Sequence, residues 1–279
     1  MSPPDLSGTT ALVTGASSGI GEAMARLLAS WRCDLVLTAR RADRLEALAS
    51  ELRAHSIRCR CLPEDLADPR GPERLHRRVR EGGAIDILVN NAGSGRYEPF
   101  EATSWEHHAA LLQLNVTSLV ELTHRFLPDL RARPRAHVLN VASVAAWMAL
   151  PHFAGYGASK AYVLSFSQAL AAELDGTAVR VTCLCPGGTV TEFPQASGQT
   201  LGRAARAGMM SAERCAAVGL RGMLRGQRVV VPGASNKLTR AATWLLPRRL
   251  VAAAAGRFLG PPAHESPALS GDAERRPRP

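Results

Sequence analysis

Thr14-Gly15-Ala16-Ser17-Ser18-Gly19-Ile20-Gly21 stands between an apolar run, Ala11-Leu12-Val13, and a stretch at 22–31 whose apolar residues recur at helical spacing. A strand that turns through three glycines into a helix lets backbone amides approach a pyrophosphate closely, and the helix N-terminus favours its negative charge. Gly15, Gly19 and Gly21 fit those roles, with Ser17, Ser18 and Ile20 in the same turn. Glycine spacing alone is a weak signal; the strand before it and the helix after it give it weight. Outward from this loop, 35–38, 57–62, 85–89, 136–141 and 179–184 read as short apolar strands, and 45–55, 105–126 and 155–174 as helices. Apolar strands alternating with helices predict an α/β fold, a single Rossmann-type doubly wound parallel sheet flanked by helices on both faces. Such sheets take ligands outside the carboxyl ends of their strands, where the chain order switches.

A chain of 279 residues with 46% apolar content can bury one large core. One domain is expected over 1–235, with a Gly-, Ala-, Ser- and Thr-rich substrate loop at 189–210. A basic, apolar helical segment follows at 236–260, and a tail dense in Pro, Ala and charge at 261–279 is expected to be disordered. No stretch approaches the roughly 18 uninterrupted apolar residues of a membrane span, and the run at 11–13 is too short for a secretory signal, so a cytoplasmic location is expected. The six cysteines fall mostly inside apolar runs, without a CxxC pair, and read as reduced thiols with no metal. A net charge of +10 raises the question of nucleic acid. Only Lys160 and Lys237 are lysines, however, and the arginines are spread without interleaved aromatics, so a solvated arginine surface is the reading and no nucleic-acid partner is expected.

Downstream, Tyr156-Gly157-Ala158-Ser159-Lys160 sets a phenol and an amine four residues apart, on one face of a helix. A lysine cation beside a phenol favours the phenolate and lowers its pKa from about 10, so that it can exchange protons near neutrality. Ser143, after the strand at 136–141, can offer its hydroxyl to the same reacting oxygen. The cofactor is read at the end of the second strand, about twenty residues past the glycine loop, where an acid would accept the ribose 2′-hydroxyl of NAD. The chain has Ala39-Arg40-Arg41 there. A guanidinium suits a 2′-phosphate, so NADP(H) is favoured over NAD(H) with Arg40 as the contact; the other reading of Arg40 is a solvated charge. Asp65, after the third strand, is a partner for the adenine amine or a helix N-cap.

Thr14 to Gly21, Asn90-Asn91-Ala92-Gly93, Asn115, Ser143, Tyr156 to Lys160 and Pro186-Gly187, in this order and spacing, resemble the short-chain dehydrogenase/reductase family over 9–232. The resemblance implies an oxidoreductase that interconverts a carbonyl and a secondary alcohol. Tyr156 is then the acid/base, Ser143 binds the same oxygen, and Lys160 holds the nicotinamide ribose and lowers the Tyr156 pKa. Asn115 holds a water that links Lys160 to solvent. It also implies cofactor contacts at Asn90, beside the adenosine ribose, at Ala92 and Gly93, at Pro186 and Gly187, and at Thr189 beside the nicotinamide amide, through its backbone. A hydrophobic ketone or alcohol is the expected substrate, in a pocket drawn from 94–100, 144–153 and 193–210, with Trp147, Met148, Leu150 and Phe153 as apolar wall or subunit contact. A homodimer or homotetramer is expected. The rival classes are a non-catalytic NADP-sensing binding module and a structural subunit with a vestigial site. The segment 237–259 either lies weakly on an anionic membrane or docks on the protein or on a dimer partner; docking is preferred because Pro247 breaks the helix face and alanines bind lipid weakly.

Overall fold

Side chains alternate across a strand, and β1 (Thr10–Thr14) shows what that alternation builds. Ala11 and Val13 face one core layer and Leu12 the other, all three fully buried. The computed structural model describes residues 4–199, 206 and 208–259. After β1 come α1 (Gly19–Ser30), β2 (Asp34–Thr38), α2 (Ala42–Leu52), β3 (Cys59–Cys61), α3 (Gly71–Arg80) and β4 (Ile87–Asn90). The chain continues through α4 (Trp105–Leu112), a π-helical turn (Gln113–Thr117), α5 (Ser118–Arg131), β5 (Ala136–Val141), a 3-10 turn (Val144–Trp147), α6 (Ala154–Glu173) and β6 (Val179–Leu184). Its last elements are β7 (Thr189–Val190), α7 (Phe193–Ala196), β8 (Met210–Ser211), α8 (Ala212–Leu224), β9 (Val229–Val230), α9 (Ala234–Leu245) and α10 (Arg248–Leu259).

Seven strands form one parallel sheet in the order β3-β2-β1-β4-β5-β6-β9, and β7 pairs with β8 in a second, two-stranded sheet. The order reverses between β1 and β4, which opens the crevice at their carboxyl ends. Layers of helices close both faces. α1, α2 and α8 pack with Ala11, Val13, Leu35, Leu37 and Val89 on one side; Leu75, Phe126 and Leu170, from α3, α5 and α6, pack with Leu12, Val36 and Leu88 on the other. This is the expected doubly wound architecture.

Several boundaries differ from the sequence reading, each for a local reason. The segment 105–126 is not one helix: the π-helical turn at Gln113–Thr117 interrupts it, and α5 runs on to Arg131 with Pro128 inside. α3 escaped notice because Gly71-Pro72 opens it and only Leu75 and Val79 carry its apolar stripe beyond them. α2 starts at Ala42 rather than 45 and tightens into a 3-10 turn at Arg53–His55, closed by Ser56 in the left-handed region. Segment 237–259 divides at Pro247, where the missing amide donor ends one helix and opens the next. The predicted tail at 261–279, and 200–205 of the predicted substrate loop, lie outside the described residues.

Candidate active site

The switch point is stitched by two residues that the sequence reading left without a role. Thr14 Oγ1 accepts from the backbone of Asn91 at 2.9 Å and Ala92 at 3.0 Å, and Asn91 Nδ2 donates to the Thr14 and Gly15 carbonyls. These bonds press the glycine turn against the segment after β4. A Cβ on Gly15 would stand 2.9 Å from Ala92 Cα, and Gly15 (φ 66°) and Gly19 (φ 58°) are left-handed, so glycine is required twice over. Ser18 is the N-cap of α1 but makes no side-chain capping bond. The first amides of the helix thus take no bond from the Ser18 side chain, and a helix N-terminus of this kind fits a pyrophosphate.

At the end of β2, Arg41 rather than Arg40 reaches the turn: its Nε and a terminal nitrogen donate to Ser17 Oγ at 3.2 and 3.1 Å. Arg41 and Arg44 also grip Glu192, just before α7, at 2.9 and 2.5 Å. Arg40 is exposed. Asp65 accepts from the Ala67 amide at 2.9 Å in a local turn, while α3 is entered at Arg70, so Asp65 is not a helix N-cap. Asn90 is 3% exposed, and its amide donates to Thr123 Oγ1 at 3.0 Å and Asn140 Oδ1 at 2.9 Å. Asn140 passes the chain to Ser167 at 2.9 Å. The Asn90 side chain is thus committed to a polar ladder that joins β4, α5, β5 and α6 inside the core.

Ser143 follows β5 and caps the 3-10 turn: its Oγ accepts from the Ala145 amide at 3.1 Å and donates to the Pro186 carbonyl at 3.4 Å. Tyr156 and Lys160 share a face of α6, as the spacing predicts. Phe153 stacks on the Tyr156 ring with centroids 4.4 Å apart, and Phe193 lies at 5.3 Å. Burial pushes the Tyr156 phenol up to about 12, with a hydrogen bond from Ser143 opposing the shift. This departs from the expected lowering by Lys160. The Lys160 ammonium lies 5.8 Å from the ring centroid and donates to the Val141 carbonyl at 2.9 Å, so desolvation dominates at the phenol. Lys160 is itself buried, which lowers its pKa to about 8, a charging cost of about 3 kcal/mol.

Asn115 sits in the π-helical turn. Its Oδ1 accepts from the Ser94 amide at 2.9 Å, and its Nδ2 donates to the Ser94 carbonyl at 2.9 Å and to Ser159 Oγ at 3.0 Å. Ser159 in turn donates to the Tyr156 carbonyl at 2.7 Å. Asn115 is therefore a strut between the post-β4 segment and α6. A Cβ on Gly93 would come within 3.3 Å of both Asn115 Oδ1 and Lys160 Nζ, so two of the four expected groups flank this glycine closely. Pro186 accepts from Ser143; a Cβ on Gly187 would collide with Asn236 at 2.2 Å; Thr189 Oγ1 donates to Gly187 at 3.0 Å. Ile20 is half-buried beside the glycine turn. Met148 and Leu150 line an apolar groove of 340 Å³ with Ala252, whereas Trp147 lies under Arg240. Among the described residues, no His, Cys, Asp or Glu group is arranged to hold a metal ion, and no helix is long and apolar enough to cross a membrane.

Comparison with known proteins points one way. Residues 9–202 match the sequence pattern of the family described as short chain dehydrogenase. A serine 3-dehydrogenase of Agrobacterium fabrum is 39% identical over 190 residues, 66% of this chain and 73% of that protein. A short-chain dehydrogenase from Sphingobium yanoikuyae, solved with NADPH, superposes with a TM-score of 0.76 at 32% identity, covering 85% of this chain and 94% of that one. A bulky-bulky ketone specific alcohol dehydrogenase from Comamonas testosteroni gives 0.72 at 30% identity, covering 85% and 93%.

Proposed function

Because the chain belongs to the short-chain dehydrogenase/reductase family, oxidoreductases that act on alcohol and ketone groups with a nicotinamide cofactor, we propose that it interconverts a hydrophobic carbonyl and its secondary alcohol using NADP(H). The observation that carries this reading is a chain of neighbours: Ser143 beside the Tyr156 phenol, the Lys160 ammonium 5.8 Å from the Tyr156 ring centroid, and Lys160 with Asn115 flanking Gly93. Gly15, Ser17, Ser18, Gly19, Ile20 and Gly21 would hold the pyrophosphate, and Arg40 and Arg41 the 2′-phosphate. Asp65, Asn90, Ala92 and Gly93 would serve the adenosine side, Asn90 through its backbone. Pro186, Gly187 and Thr189 would bind the nicotinamide amide, and Lys160 its ribose. The nicotinamide, when bound, supplies or takes up the hydride.

The chain's own part is the proton. Ser143 Oγ hydrogen-bonds the substrate oxygen and stabilises charge where it develops. Tyr156 Oη gives its proton to that oxygen on reduction and takes it back on oxidation. With its pKa near 12, Tyr156 rests as the neutral phenol, the form that donates. The reverse direction needs the phenolate, which Lys160 favours when charged. Phe153 and Phe193 give the site apolar walls, which suit a hydrophobic substrate.

The test is consumption of NADPH by the purified full chain against hydrophobic ketones, thioesters of 3-oxo acids, steroids and aldehydes, with NADH in parallel. Turnover of one class with preference for NADPH is expected; equal rates with NADH would overturn the cofactor assignment. NADPH binding with no turnover across the panel would favour the sensing module. Tyr156→Phe is expected to lower turnover at least about a hundredfold while NADPH affinity stays within a few-fold; retained turnover would refute the role of Tyr156.

A further inference from the structure

α9 and α10 turn one side to the protein and the other to solvent. On the inner side, Asn236 donates to the Pro232 carbonyl at 2.7 Å, the Arg240 guanidinium lies 5.2 Å from the Trp147 ring centroid, and Val251 is buried. These contacts attach the two helices to the protein at a few points, and no residue of α9 is buried. Leu238 and Leu245, seven residues apart and so on one face of α9, are 72% and 83% exposed; Trp244 beside Leu245 is 78% exposed, and Leu246 and Leu250 are exposed as well. Five of the eleven exposed large apolar side chains among the described residues crowd into positions 238–250. Scattered single leucines on a surface need no explanation, but a contiguous patch does.

The charges around the patch identify its occupant. Residues 234–259 carry Lys237, Arg240, Arg248, Arg249 and Arg257, and neither Asp nor Glu. A second copy of this chain, docked patch to patch about a two-fold axis, would bring these cations together with no acid in the segment to offset them. A membrane surface rich in anionic headgroups offers apolar depth for the leucines and tryptophan and phosphates for the cations at once. Pro247 sets the break between the two helices within the patch, where Leu246 is also exposed, so the bend itself is presented to the surface. We propose that the outer face of α9 and α10 binds an anionic lipid surface, with Leu238, Trp244 and Leu245 below the headgroup level and Arg248 and Arg249 against the phosphates. The docking places the protein's apolar groove close to lipid, because Ala252 on α10 is part of that groove's wall.

The experiment is co-sedimentation of the full chain with phosphatidylcholine vesicles and with vesicles containing about one third phosphatidylglycerol, at low and high salt. The pelleted fraction should be at least about tenfold greater on the anionic vesicles and should fall sharply in high salt. The double substitution Trp244→Glu with Leu245→Glu should bring it to the level of the zwitterionic vesicles without changing thermal stability or solution mass. If that variant does not fold, Arg248→Gln with Arg249→Gln should remove the salt-sensitive part of binding. Three results would overturn the proposal: no preference of the unaltered chain for anionic vesicles, unchanged pelleting of a folded variant, or absent pelleting with substitutions that halve the solution mass, which assigns the face to a second copy.

Discussion

Glu192 places its carboxylate between Arg44 and Arg41, and those two guanidinium groups hold its carboxyl below the usual carboxylate range. Arg41 also holds Ser17, in the glycine turn. A 2′-phosphate arriving at the end of β2 would therefore meet arginines already engaged by an anion of the chain itself. Glu192→Gln should tighten NADPH binding by a few-fold and leave NADH within twofold, as read by fluorescence titration; loosened binding of both would show that Glu192 only braces the loop. No spacing rule links residue 192 to 41 or 44, because their contact spans about half the chain and exists only once the sheet has formed. Arg40, by contrast, was legible as a charge in the right place, but which of two adjacent arginines turns toward the loop is decided by backbone direction at the start of α2. Tyr156 and Lys160 were legible because four residues make one helical turn. The rise of the phenol's pKa was not, since it follows from burial of the ring, which exists only in the folded packing.

Among the elements, β5 carries an acid sensitivity. His137 is 4% exposed, neither ring nitrogen has a hydrogen-bond partner, and burial together with Arg135 and Arg180 lowers its pKa to about 4. Its unfolded value of 6.5 lies above the folded one, so the unfolded chain takes up the proton first as pH falls. The stabilising contribution of neutral His137 is complete above that unfolded value and is lost between it and the folded one. By pH 5 about 1.5 units are engaged, a loss of about 2 kcal/mol. Burial lowers the pKa of His76 as well, with the same sign. Urea unfolding at pH 7 and pH 5 should show this loss, and His137→Leu should flatten it; an unchanged difference would clear His137. The strands were the most legible elements, since buried parallel strands are continuous apolar runs bounded by turns. The interruption of 105–126 was not legible, because Gln113 to Thr117 fits an α-helix by propensity. The π-helical turn is supported by Asn115 bonding Ser94 and Ser159, contacts made from other elements.

At the scale of the whole molecule, the six cysteines are free, and all except Cys61 are buried. Burial raises Cys33, Cys61 and Cys215 to about 12. The native protein should therefore yield at most one rapidly titrating thiol to an aromatic disulfide reagent and all six after denaturation. Two or more fast thiols in the native state would mean that a core layer opens. The general plan, a parallel sheet covered by helices on both faces, followed from the alternation of strands and helices. What the pattern left open was the outer face of α9 and α10, because the same leucines serve a buried or a solvent-facing stripe equally well. Lys160 is 4% exposed, with its ammonium held to Val141, and Lys237 on α9 is the other lysine of the chain. Amine-directed acylation of folded protein thus has one side-chain target, so an acyl group counted at residue 237 by peptide mapping is an accessibility label for α9 that leaves the buried Lys160 amine unmodified.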